Sequence, residues 1–393
     1  MKIALLVDEL PTSSAPKIVG EEAYHLERLG VRCDIYVLKH RTGEISPPHM
    51  KDIKLIHVDK NLGLFGKMCG LRVPSFSFFS LYHIAYPYIL SRRLSKELDS
   101  YDVVIAHFAS TAIFASRLSL QNATLAFYYH DPISYIFNEA YKASWSTIKR
   151  KFLSLVASLI DEKLLSIPDI IILQSRFHYK RILQLSSARL IKIVYPGVEA
   201  VNKIPERRKN YALAVNRWER GKNPFFIIEV AKKLRENLSK FKILMVGPWK
   251  TSSLLMEFVR KAKKEGVHEN FRILGPVEEQ KLKNFYLNAR CLIHAKTEAF
   301  GLTGLEAAAH GCPIIFPKDS GVTELFTHGI HGYFPKESDA KDYAEYLINL
   351  LNDERLAWKM GYEAWKVSKY YSWKHHAKNL AEVLEEFVGK RIE

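Results

Sequence analysis

The stretch Thr297-Glu298-Ala299-Phe300-Gly301-Leu302-Thr303-Gly304-Leu305-Glu306-Ala307-Ala308-Ala309-His310-Gly311-Cys312-Pro313 indicates how this chain folds. Apolar residues precede it at 291–295 and follow it at 314–316, as in two buried strands. Between them the pattern predicts a helix that begins near Leu302. Gly311 stands where a left-handed residue ends a helix, and the proline two residues later prevents the helix from resuming. The segment therefore predicts a strand, a turn, a helix and a second strand.

The start of this predicted helix is suited to an anionic ligand. A helix N-terminus presents unpaired N–H groups and the positive end of its dipole, and both favour phosphate. Gly301 and Gly304 let the backbone come close to a ligand because they lack a Cβ atom. Glu298 precedes the helix and Glu306 lies in its first turns, so one carboxylate can face a group beyond the phosphates while the other accepts hydrogen bonds from hydroxyls. The alternative is a dipole-complementing Glu306 and a solvated Glu298.

Glu298 and Glu306, with Phe300-Gly301-Leu302 between them and Ala-Ala-Ala-His-Gly-Cys-Pro after them, resemble the E-x7-E signature of retaining family-4 glycosyltransferases. That family has the GT-B fold. The resemblance implies an α/β chain with two Rossmann-like domains that face each other across a cleft. It extends over nearly the whole chain, and it is strongest at 217–323 and weakest at 39–100.

The composition is that of a globular protein with a surplus of positive charge. The chain has 393 residues, of which 48% are hydrophobic and 25% charged, enough for two domains with cores of their own. The net charge of +16 divides into +7 for residues 1–200 and +9 for the rest. Because the surplus is spread over both halves, we expect phosphate-bearing small molecules or an anionic membrane surface as partners, and no nucleic acid.

The sequence predicts a cytoplasmic protein. It has no run of 18 apolar residues that could span a membrane, and it opens with the strand-like Ile3–Val7 rather than with a signal peptide. The four cysteines (Cys33, Cys69, Cys291 and Cys312) are far apart and lack metal-binding spacing, and we expect Cys33 and Cys291, which lie on strand patterns, to be buried reduced thiols. Peripheral attachment to the inner face of the membrane is an additional hypothesis.

Two stretches are candidates for contact with a membrane. Residues 61–88 crowd aromatic and aliphatic side chains between basic ones, a composition typical of bilayer interfaces. The alternative is that this stretch folds into a domain core through a helix near Leu81–Leu98. The second basic and amphipathic candidate begins at Lys149-Arg150-Lys151-Phe152-Leu153.

The first forty residues predict a βαβ unit, the start of a parallel sheet. Strand-like Ile3–Val7 is followed by a helix that opens at Gly20 and by a second strand at Arg32–Leu38. The loop before the helix lacks the G-x-G-x-x-G of dinucleotide-binding folds. The family resemblance implies paired glycines in this acceptor-side loop, where this chain has only Gly20.

Histidines follow two later strand patterns of the first half. The pattern at 101–107 ends in His107, and the pattern at 123–129 is followed by His130 and Asp131-Pro132. A side chain at the carboxyl end of a parallel strand projects into the ligand crevice, whereas one in mid-strand belongs to the core. We therefore expect a functional His130, and the resemblance implies that it lies near the transferred sugar or the acceptor. For His107, a ligand contact and a structural hydrogen bond are equally supported.

The second half opens as a new strand–turn–helix unit with cations in its turn. Tyr211–Val215 predicts the strand and 225–234 the helix, with Arg217 and Lys222 between them. Arginine can bind a diphosphate bidentately and lysine as a point charge, although two solvated charges would give the same pattern. The family has an arginine and a lysine at this spacing, which implies catalytic roles for Arg217 and Lys222. Arg220 competes for either role.

The polar stretch Glu199–Asn210 is the predicted linker between the two domains. The helical pattern near the C-terminus begins after Ser372, and the resemblance implies that this last helix returns to the first domain. We therefore assign residues 1–200 and 372–393 to an N-terminal acceptor-side domain. Residues 201–371 are assigned to a C-terminal domain that binds a nucleotide-sugar.

The resemblance implies a metal-independent hexosyltransferase that needs no cofactor. Its donor would be a UDP- or GDP-linked sugar, its acceptor a glycan or a lipid-linked molecule, and the anomeric configuration would be retained. No DxD pair stands in a loop suited to Mg²⁺. The implied catalytic residues are Glu298, His130, Arg217 and Lys222. The implied substrate-binding residues are Glu306, Phe300, Gly301, Leu302, Thr303, Gly247, Val277, His107 and Gly20.

Within this set, Glu306 would bind the ribose and Glu298 the hydroxyls of the donor sugar. The two cations and the amides of residues 300–303 would stabilise the charge of the departing nucleoside diphosphate. Gly247 and Val277 would lie beside the base, and Gly321 would put backbone N–H groups near the leaving phosphate.

Three other classes of protein share parts of this pattern. Nucleotide-sugar epimerases of GT-B architecture would convert the donor without an acceptor. Glycan phosphorylases would require a lysine-bound pyridoxal phosphate. A non-catalytic protein that binds sugar nucleotides or a membrane surface would be expected to have lost some of Glu298, Glu306, Arg217 and Lys222, all of which are present.

Overall fold

The computed structural model describes residues 1–8, 14–38, 54–58, 94–140, 147–238 and 240–392. The chain separates into two compact units, each with its own parallel sheet. The first joins Met1–Asn138, Ser146–Gly197 and Trp373–Glu393, and the second consists mainly of Val198–Ser372. The aromatic stretch 61–88 lies outside the described residues. The alternative helix near Leu81–Leu98 also lies outside them, except for residues 94–98.

In the described part of the first unit, seven parallel strands form a sheet in the order β3-β2-β1-β4-β5-β6-β7. The strands are β1 (Lys2–Val7), β2 (Arg32–Val37), β3 (Lys54–His57), β4 (Val103–His107), β5 (Thr124–Tyr128), β6 (Ile170–Leu173) and β7 (Leu190–Ile193). Among the described residues, its helices are α1 (Ser14–Arg28), α2 (Phe108–Ala115), α3 (Ile133–Ala140), α4 (Thr147–Leu165), α5 (Tyr179–Leu185) and, at the end of the chain, α12 (Trp373–Ile392).

Continuous apolar strands and one face of the last helix form the core of this unit. Strand β6 reads Ile-Ile-Ile-Leu and is buried throughout, as expected for a parallel strand that is covered on both faces. The last helix packs against α1 and contributes Ala377, Leu380 and Leu384 to the same core as Ile3 and Leu5.

The first helix begins earlier than the sequence predicted. Helix α1 starts at Ser14, so Gly20 is a buried residue of its second turn and does not open it. A proline in the first turn does not interrupt a helix, because the first N–H groups have no intrahelical acceptor. A role for Gly20 in binding stays a prediction.

The second unit contains a sheet of six parallel strands in the order β10-β9-β8-β11-β12-β13. The strands are β8 (Ala212–Val215), β9 (Ile243–Val246), β10 (Phe271–Gly275), β11 (Cys291–Ile293), β12 (Ile314–Ile315) and β13 (Gly332–Tyr333). The α-helices are α6 (Pro224–Asn237), α7 (Ser252–Lys264), α8 (Glu279–Asn288), α9 (Leu302–Ala309), α10 (Ala340–Asn352) and α11 (Glu354–Ser368). Short 3₁₀-helices occur at Arg220–Lys222, His268–Asn270 and Gly321–Leu325.

Two of these helices were not predicted, although the sequence carries their start signals. Thr251 caps α7 by accepting a hydrogen bond from the N–H of Leu254 at 3.2 Å. Asp353 caps α11 by accepting from the N–H of Leu356 at 2.8 Å. A side-chain oxygen at the N-cap satisfies one of the N–H groups that the first turn leaves unpaired, which fixes where each helix begins.

The strand order reverses at one point in each sheet. Strand β1 lies between β2 and β4, and β8 lies between β9 and β11, so the connections leave in opposite directions. In open parallel sheets, ligands bind beyond the carboxyl ends of the strands at such a switch point. In the second unit the switch point lies between β8 and β11, where the turn after β8 and the loop after β11 are neighbours.

The predicted linker at 199–210 contains a structural residue that anchors α9. The buried guanidinium of Arg208 donates to the carbonyl oxygens of Leu287 at 2.8 Å and His310 at 2.9 Å. These carbonyls lie at the C-terminal ends of α8 and α9, where a positive charge is favourable. Gly311 has φ +69°, which confirms the predicted left-handed end, and a Cβ atom there would lie 2.7 Å from Arg208.

Gly247 is expected to be essential for the packing of two turns in the second unit. Its φ is +117°, and a Cβ atom would lie 1.9 Å from the backbone oxygen of Asn216, which cannot move away as a side chain would. Gly247→Ala should therefore lower the free energy of unfolding by roughly 3 kcal/mol or more. Urea unfolding followed by fluorescence measures this, because the buried ring of Trp218 stacks on Trp249 beside the turn.

Gly275→Ala is the matched control for this experiment. Gly275 has φ +66°, but no atom of the described residues lies within 4 Å of a Cβ atom built there, so only the backbone preference is lost. The expected loss is about 1 kcal/mol. Equal destabilisation of the two variants would contradict the collision with Asn216.

Among the described helices, none has both the length and the hydropathy that crossing a bilayer requires.

Candidate functional site

The strongest candidate site in the second unit is an ion pair at its switch point. After β8 the chain turns through the 3₁₀-helix Arg220–Lys222, and after β11 it passes through Glu298 before α9 begins. Because β8 and β11 are neighbours, the two turns meet. The Nζ atom of Lys222 lies 2.7 Å from both carboxylate oxygens of Glu298. Both side chains are partly exposed, at 27% and 19%, so the pair remains accessible to a ligand.

The backbone of Glu298 is held on both sides by the loop around Ser320. Its N–H donates to the Ser320 hydroxyl at 3.2 Å, and its carbonyl accepts from the N–H of Gly321 at 3.0 Å. The N–H of Gly321 itself is thus used within the protein, and the placement of other backbone N–H groups of this turn near a leaving phosphate stays a prediction. What Gly321 contributes is a fixed position for the carboxylate of Glu298.

Glu337 holds the same loop from a second direction, and the sequence analysis missed it. Its carboxylate accepts from the N–H of Thr297 at 2.8 Å and pairs with the Nζ of Lys296 at 2.9 Å. Burial by itself raises the pKa of Glu337, but the bonds with Thr297 and Lys296 outweigh it and lower that pKa. An ionised Glu337 at neutral pH thus stabilises the conformation that presents Glu298.

His294 is a further residue of this site that the sequence analysis placed only in a strand. Its Nε2 lies 3.6 Å from Glu298, and its ring stacks on Phe316 with centroids 4.3 Å apart. The Nδ1 atom donates to the carbonyl of Lys296 at 2.9 Å, so Nε2 is the acceptor for the Asn216 amide at 3.1 Å. Burial, reinforced by the charge of Lys222 and opposed by Glu298, lowers the pKa of His294 to about 4. The ring is therefore neutral at pH 7.

Helix α9 begins at the residue that the sequence predicted. Gly301 is its N-cap with φ +94°, a conformation that favours glycine. The predicted reason for the two glycines needs correction, however, because a Cβ atom at Gly301 or Gly304 would lie 2.8 or 3.1 Å from the Phe316 ring. Both positions are glycine because the ring of Phe316 occupies the space that a Cβ atom would need. Leu302 and Thr303 form the first turn, whose N–H groups have no intrahelical acceptor, and Phe300 is buried just before it.

Glu306 lies inside α9, with its carboxylate directed to the neighbouring helix. The hydroxyl of Tyr286 on α8 donates to Oε2 of Glu306 at 3.2 Å. Burial, together with the charge of Glu306, raises the pKa of Tyr286 well above its ordinary value, so Tyr286 stays a donor at every physiological pH. This contact orients the carboxylate, and it leaves the predicted role of Glu306 in binding a ribose untested.

The arginines of the turn after β8 are paired with glutamates. Arg217 is 58% exposed and lies 3.1 Å from Glu219, which also pairs with Lys250. Burial raises the pKa of Glu219, but the charges and hydrogen bonds of Arg217 and Lys250 outweigh it and lower that pKa. Arg220 pairs with Glu257 at 2.5 Å. Lys222 is thus the cation of this turn that the structure places on Glu298, while the roles of Arg217 and Arg220 stay predictions.

The two predicted base-site residues follow neighbouring strands. Gly247 comes directly after β9 and donates its N–H to the carbonyl of Gly275 at 2.8 Å. Val277 is a half-buried residue two positions after β10. They lie at the carboxyl edge of the same sheet as Glu298, and contact with a base stays a prediction.

The first unit has its own cluster of titratable groups at its switch point. Glu22 on α1 and His107 at the end of β4 are both fully buried, with Oε2 and Nε2 3.1 Å apart. His376 on α12 lies 2.9 Å from the other oxygen of Glu22 and donates to the carbonyl of Tyr195. The close approach to Glu22 favours a structural role for His107, although neither ring nitrogen has a hydrogen-bond partner among the described residues, and a contact of His107 with a ligand stays a prediction. Neither Glu22 nor His376 was singled out from the sequence, because their contact spans most of the chain.

His130 lies two residues beyond β5, beside this cluster. Its ring is sandwiched by Phe108 and Tyr128, with centroids 4.3 and 4.9 Å away, and it is 8% exposed. Burial, together with the charge of His107, lowers the pKa of His130 to about 4. Its Nε2 has no hydrogen-bond partner among the residues that the structure describes, and Phe108 has φ +71°, an unfavourable conformation for a bulky residue. An unpaired buried polar atom beside a strained backbone is typical of a ligand-binding position.

Glu22→Gln is expected to destabilise the first unit in a pH-dependent manner. Burial raises the pKa of Glu22, but its contacts with His107 and His376 outweigh it and lower the pKa to about 2. A carboxylate whose folded pKa is depressed stabilises the protein above its unfolded pKa near 4.5, and this contribution is lost as the pH falls toward 2. We expect a loss of about 2 kcal/mol in the variant at pH 7, and a difference from wild type that shrinks below pH 4.5.

The control is Glu382→Gln, which removes an exposed carboxylate of α12 that pairs with Lys378. Exposed pairs contribute little, so its unfolding should match wild type at every pH. A pH-independent loss in Glu22→Gln would show that Glu22 acts through packing rather than through charge.

Two family models match the chain and together cover most of it. The model described as "Glycosyltransferase Family 4" matches residues 17–201, and the model described as "Glycosyl transferases group 1" matches residues 199–367. The second match contains the Lys222–Glu298 pair and the whole of α9. The first contains Glu22, His107 and His130.

Curated relatives are similar over part of their length. The poly(glycerol-phosphate) alpha-glucosyltransferase of Bacillus subtilis (strain 168) is 32% identical over 97 residues, which are 24% of this chain and 14% of that protein. The D-inositol 3-phosphate glycosyltransferase of Corynebacterium kroppenstedtii is 27% identical over 181 residues, 45% of this chain and 40% of that protein. The chain thus spans less than half the length of these relatives.

Solved structures are similar over nearly the whole chain. Anabaena Alr3699/HepE, solved in complex with UDP and glucose, has a TM-score of 0.72 at 15% identity, over 98% of this chain and all of that one. At this identity the likeness concerns the fold, and it agrees with two Rossmann-like units that each contain one parallel sheet. With the two family models end to end over residues 17–367, the chain belongs to the family-4-type glycosyltransferases of the GT-B fold.

Proposed function

We propose that the protein transfers a hexose from a nucleoside-diphosphate sugar to a glycan or lipid-linked acceptor, with retention of the anomeric configuration. The observation that carries this proposal is the contact of Lys222 with both oxygens of Glu298 in front of α9. A cation, a carboxylate and a helix N-terminus at one switch point combine a diphosphate site with an acceptor for sugar hydroxyls. That a structure of the same fold binds UDP and glucose supports the choice of donor.

In the proposed mechanism the second unit stabilises the leaving group. The diphosphate lies against the first turn of α9 and close to Lys222, whose charge offsets the negative charge that builds up as the sugar bond breaks. Glu298 exchanges part of its contact with Lys222 for hydroxyls of the donor sugar. Because Ser320, Gly321 and Glu337 fix the loop around Glu298, little reorganisation is needed when the donor binds.

The first unit contributes a neutral imidazole. With a pKa of about 4, His130 at neutral pH carries no charge, and its unpaired Nε2 can exchange a hydrogen bond with a sugar or acceptor hydroxyl. A neutral ring binds a hydroxyl without bringing a positive charge to it. We propose that His130 orients the substrate, and that Glu22 and His376 support it through His107.

The experiment that tests the proposal starts from donor binding. UDP-, GDP- and ADP-linked hexoses are compared by thermal shift, since a ligand that binds the folded state raises the melting temperature. The donor that binds is then incubated with glycan and lipid-linked acceptors, and the product anomer is assigned by NMR. Inversion of configuration, or failure of every nucleotide-sugar to bind, would overturn the proposal.

The same assay separates a transferase from a nucleotide-sugar epimerase. An epimerase would convert the donor into another nucleotide-sugar in the absence of acceptor, whereas the proposed transferase would leave it unchanged apart from slow hydrolysis. Both family models are those of transferases, which favours the second outcome.

A further inference from the structure

Helix α4 of the first unit presents an exposed apolar face. Six large hydrophobic side chains on it are between 39% and 84% exposed, and they are Ile148, Phe152, Leu155, Val156, Leu159 and Ile160. Successive members are one, three or four residues apart, the spacing of side chains that share one side of a helix. They therefore form a continuous stripe along most of the 19-residue helix.

The opposite side of α4 is packed firmly, so the direction of the stripe is fixed. Ala157, Leu164 and Leu165 are buried. The buried carboxylate of Asp161 accepts from the N–H groups of Ile133 and Ser134 at 2.8 and 2.9 Å, at the start of α3. Rotation of the helix to bury the stripe would break this cap, which makes the exposed apolar face a stable feature of the fold.

Basic residues flank the stripe. The sequence places three of them in a row at 149–151, and the exposed Lys151 stands one turn before Leu155. At the other end, the exposed Lys163 stands one turn after Leu159. Among the residues of this helix, the acidic ones are Asp161, which is buried, and Glu162. An apolar stripe with lysines around it is the composition of helices that lie in the interface of an anionic bilayer.

We propose that α4 docks this protein on an anionic lipid membrane, with the stripe among the acyl chains and the flanking lysines at the headgroup phosphates. The net charge of +16 strengthens attraction to such a surface, and it opposes the approach of a second copy of the chain. This inference rests on α4 and on the charge of the chain, and it does not depend on the proposed transfer reaction.

The test is co-sedimentation of the full-length chain with vesicles. Wild type should bind vesicles of equal parts phosphatidylglycerol and phosphatidylcholine, bind pure phosphatidylcholine far more weakly, and dissociate as NaCl rises from about 0.1 M to about 0.5 M. The variant Phe152→Ser with Leu159→Ser should lose about tenfold or more of the affinity. Because both side chains are exposed, its thermal unfolding should match wild type.

Two control variants make this test specific. Met256→Ser with Ile330→Ser removes exposed apolar residues of the second unit and should bind as wild type does. Lys151→Glu should weaken binding to anionic vesicles, whereas Lys240→Glu, at another exposed position, should have less effect.

Three results would overturn the proposal. The first is an absence of binding of wild type to the anionic vesicles. The second is a loss smaller than about threefold in the serine variant of the stripe, which would place the contact elsewhere in the chain. The third is lipid-independent self-association of wild type, measured by sedimentation velocity and abolished in that variant, which would identify a second copy as the occupant of the stripe.

Discussion

Replacing Lys222 by alanine is expected to lower turnover by roughly 10²- to 10³-fold while the protein stays folded. The Nζ atom is the cation in contact with Glu298, and the side chain is 27% exposed, so its loss leaves a solvated space rather than a core cavity. Turnover at saturating donor is the measurement, because the proposed charge stabilisation acts mainly in the transition state. Lys222→Arg keeps the positive charge but replaces the compact ammonium group with a planar guanidinium. It should therefore restore only part of the activity.

The matched control for Lys222 is Lys250→Ala. Lys250 follows a neighbouring strand of the same sheet and pairs with Glu219, but it is 60% exposed and has no contact with Glu298 among the described hydrogen bonds. Its removal should change turnover less than threefold, as is usual for an exposed ion pair. Wild-type turnover in Lys222→Ala would remove this lysine from the catalytic site and weaken the transferase proposal.

Replacing Glu298 by glutamine is expected to lower turnover by about 10²-fold or more. The amide is nearly isosteric and can still accept a bond from Lys222, yet it lacks the charge that strengthens hydrogen bonds from sugar hydroxyls. Initial rates with saturating donor, together with a thermal melt, separate a catalytic loss from unfolding. Glu257→Gln is the control, because Glu257 pairs with Arg220 in the same unit and should be dispensable.

The double variant of Lys222 and Glu298 tests whether the two residues act together. Their side chains are in direct contact, so the losses should not add, and the double variant should be little slower than the slower single variant. Fully additive losses would mean that the two groups serve separate steps, which would contradict the joint role proposed here.

Local sequence patterns predicted the elements of the candidate site well and its supporting contacts poorly. The pattern at 297–313 predicted the start of α9, its left-handed end at Gly311 and the strands on both sides, and the structure confirms all three. These features depend on neighbouring residues, through capping, glycine conformation and apolar periodicity. Glu337 and His294 were missed because an isolated glutamate or strand histidine has no local signature of its partner.

The role of a residue was harder to predict than its position in a helix, strand or loop. The glycines of α9 were assigned to a ligand, but the space beside them holds Phe316. The linker at 199–210 was assigned by its polarity, but Arg208 within it is buried against the ends of α8 and α9. In both cases the neighbour is distant in sequence, and nothing in the local pattern specifies it.

The sequence by itself determined that this chain forms strands and helices in alternation, that each unit contains a parallel sheet, and that Glu298 stands just before a helix N-terminus. These properties follow from hydrophobic periodicity and from the few residues that start or end a helix. Only the tertiary structure decided that Lys222 lies on Glu298, 76 residues away, and that His376 lies on Glu22, 354 residues away. Such contacts are set by the order of strands in a sheet and by the return of the last helix, because the energy that selects them comes from packing the whole unit rather than from any short segment.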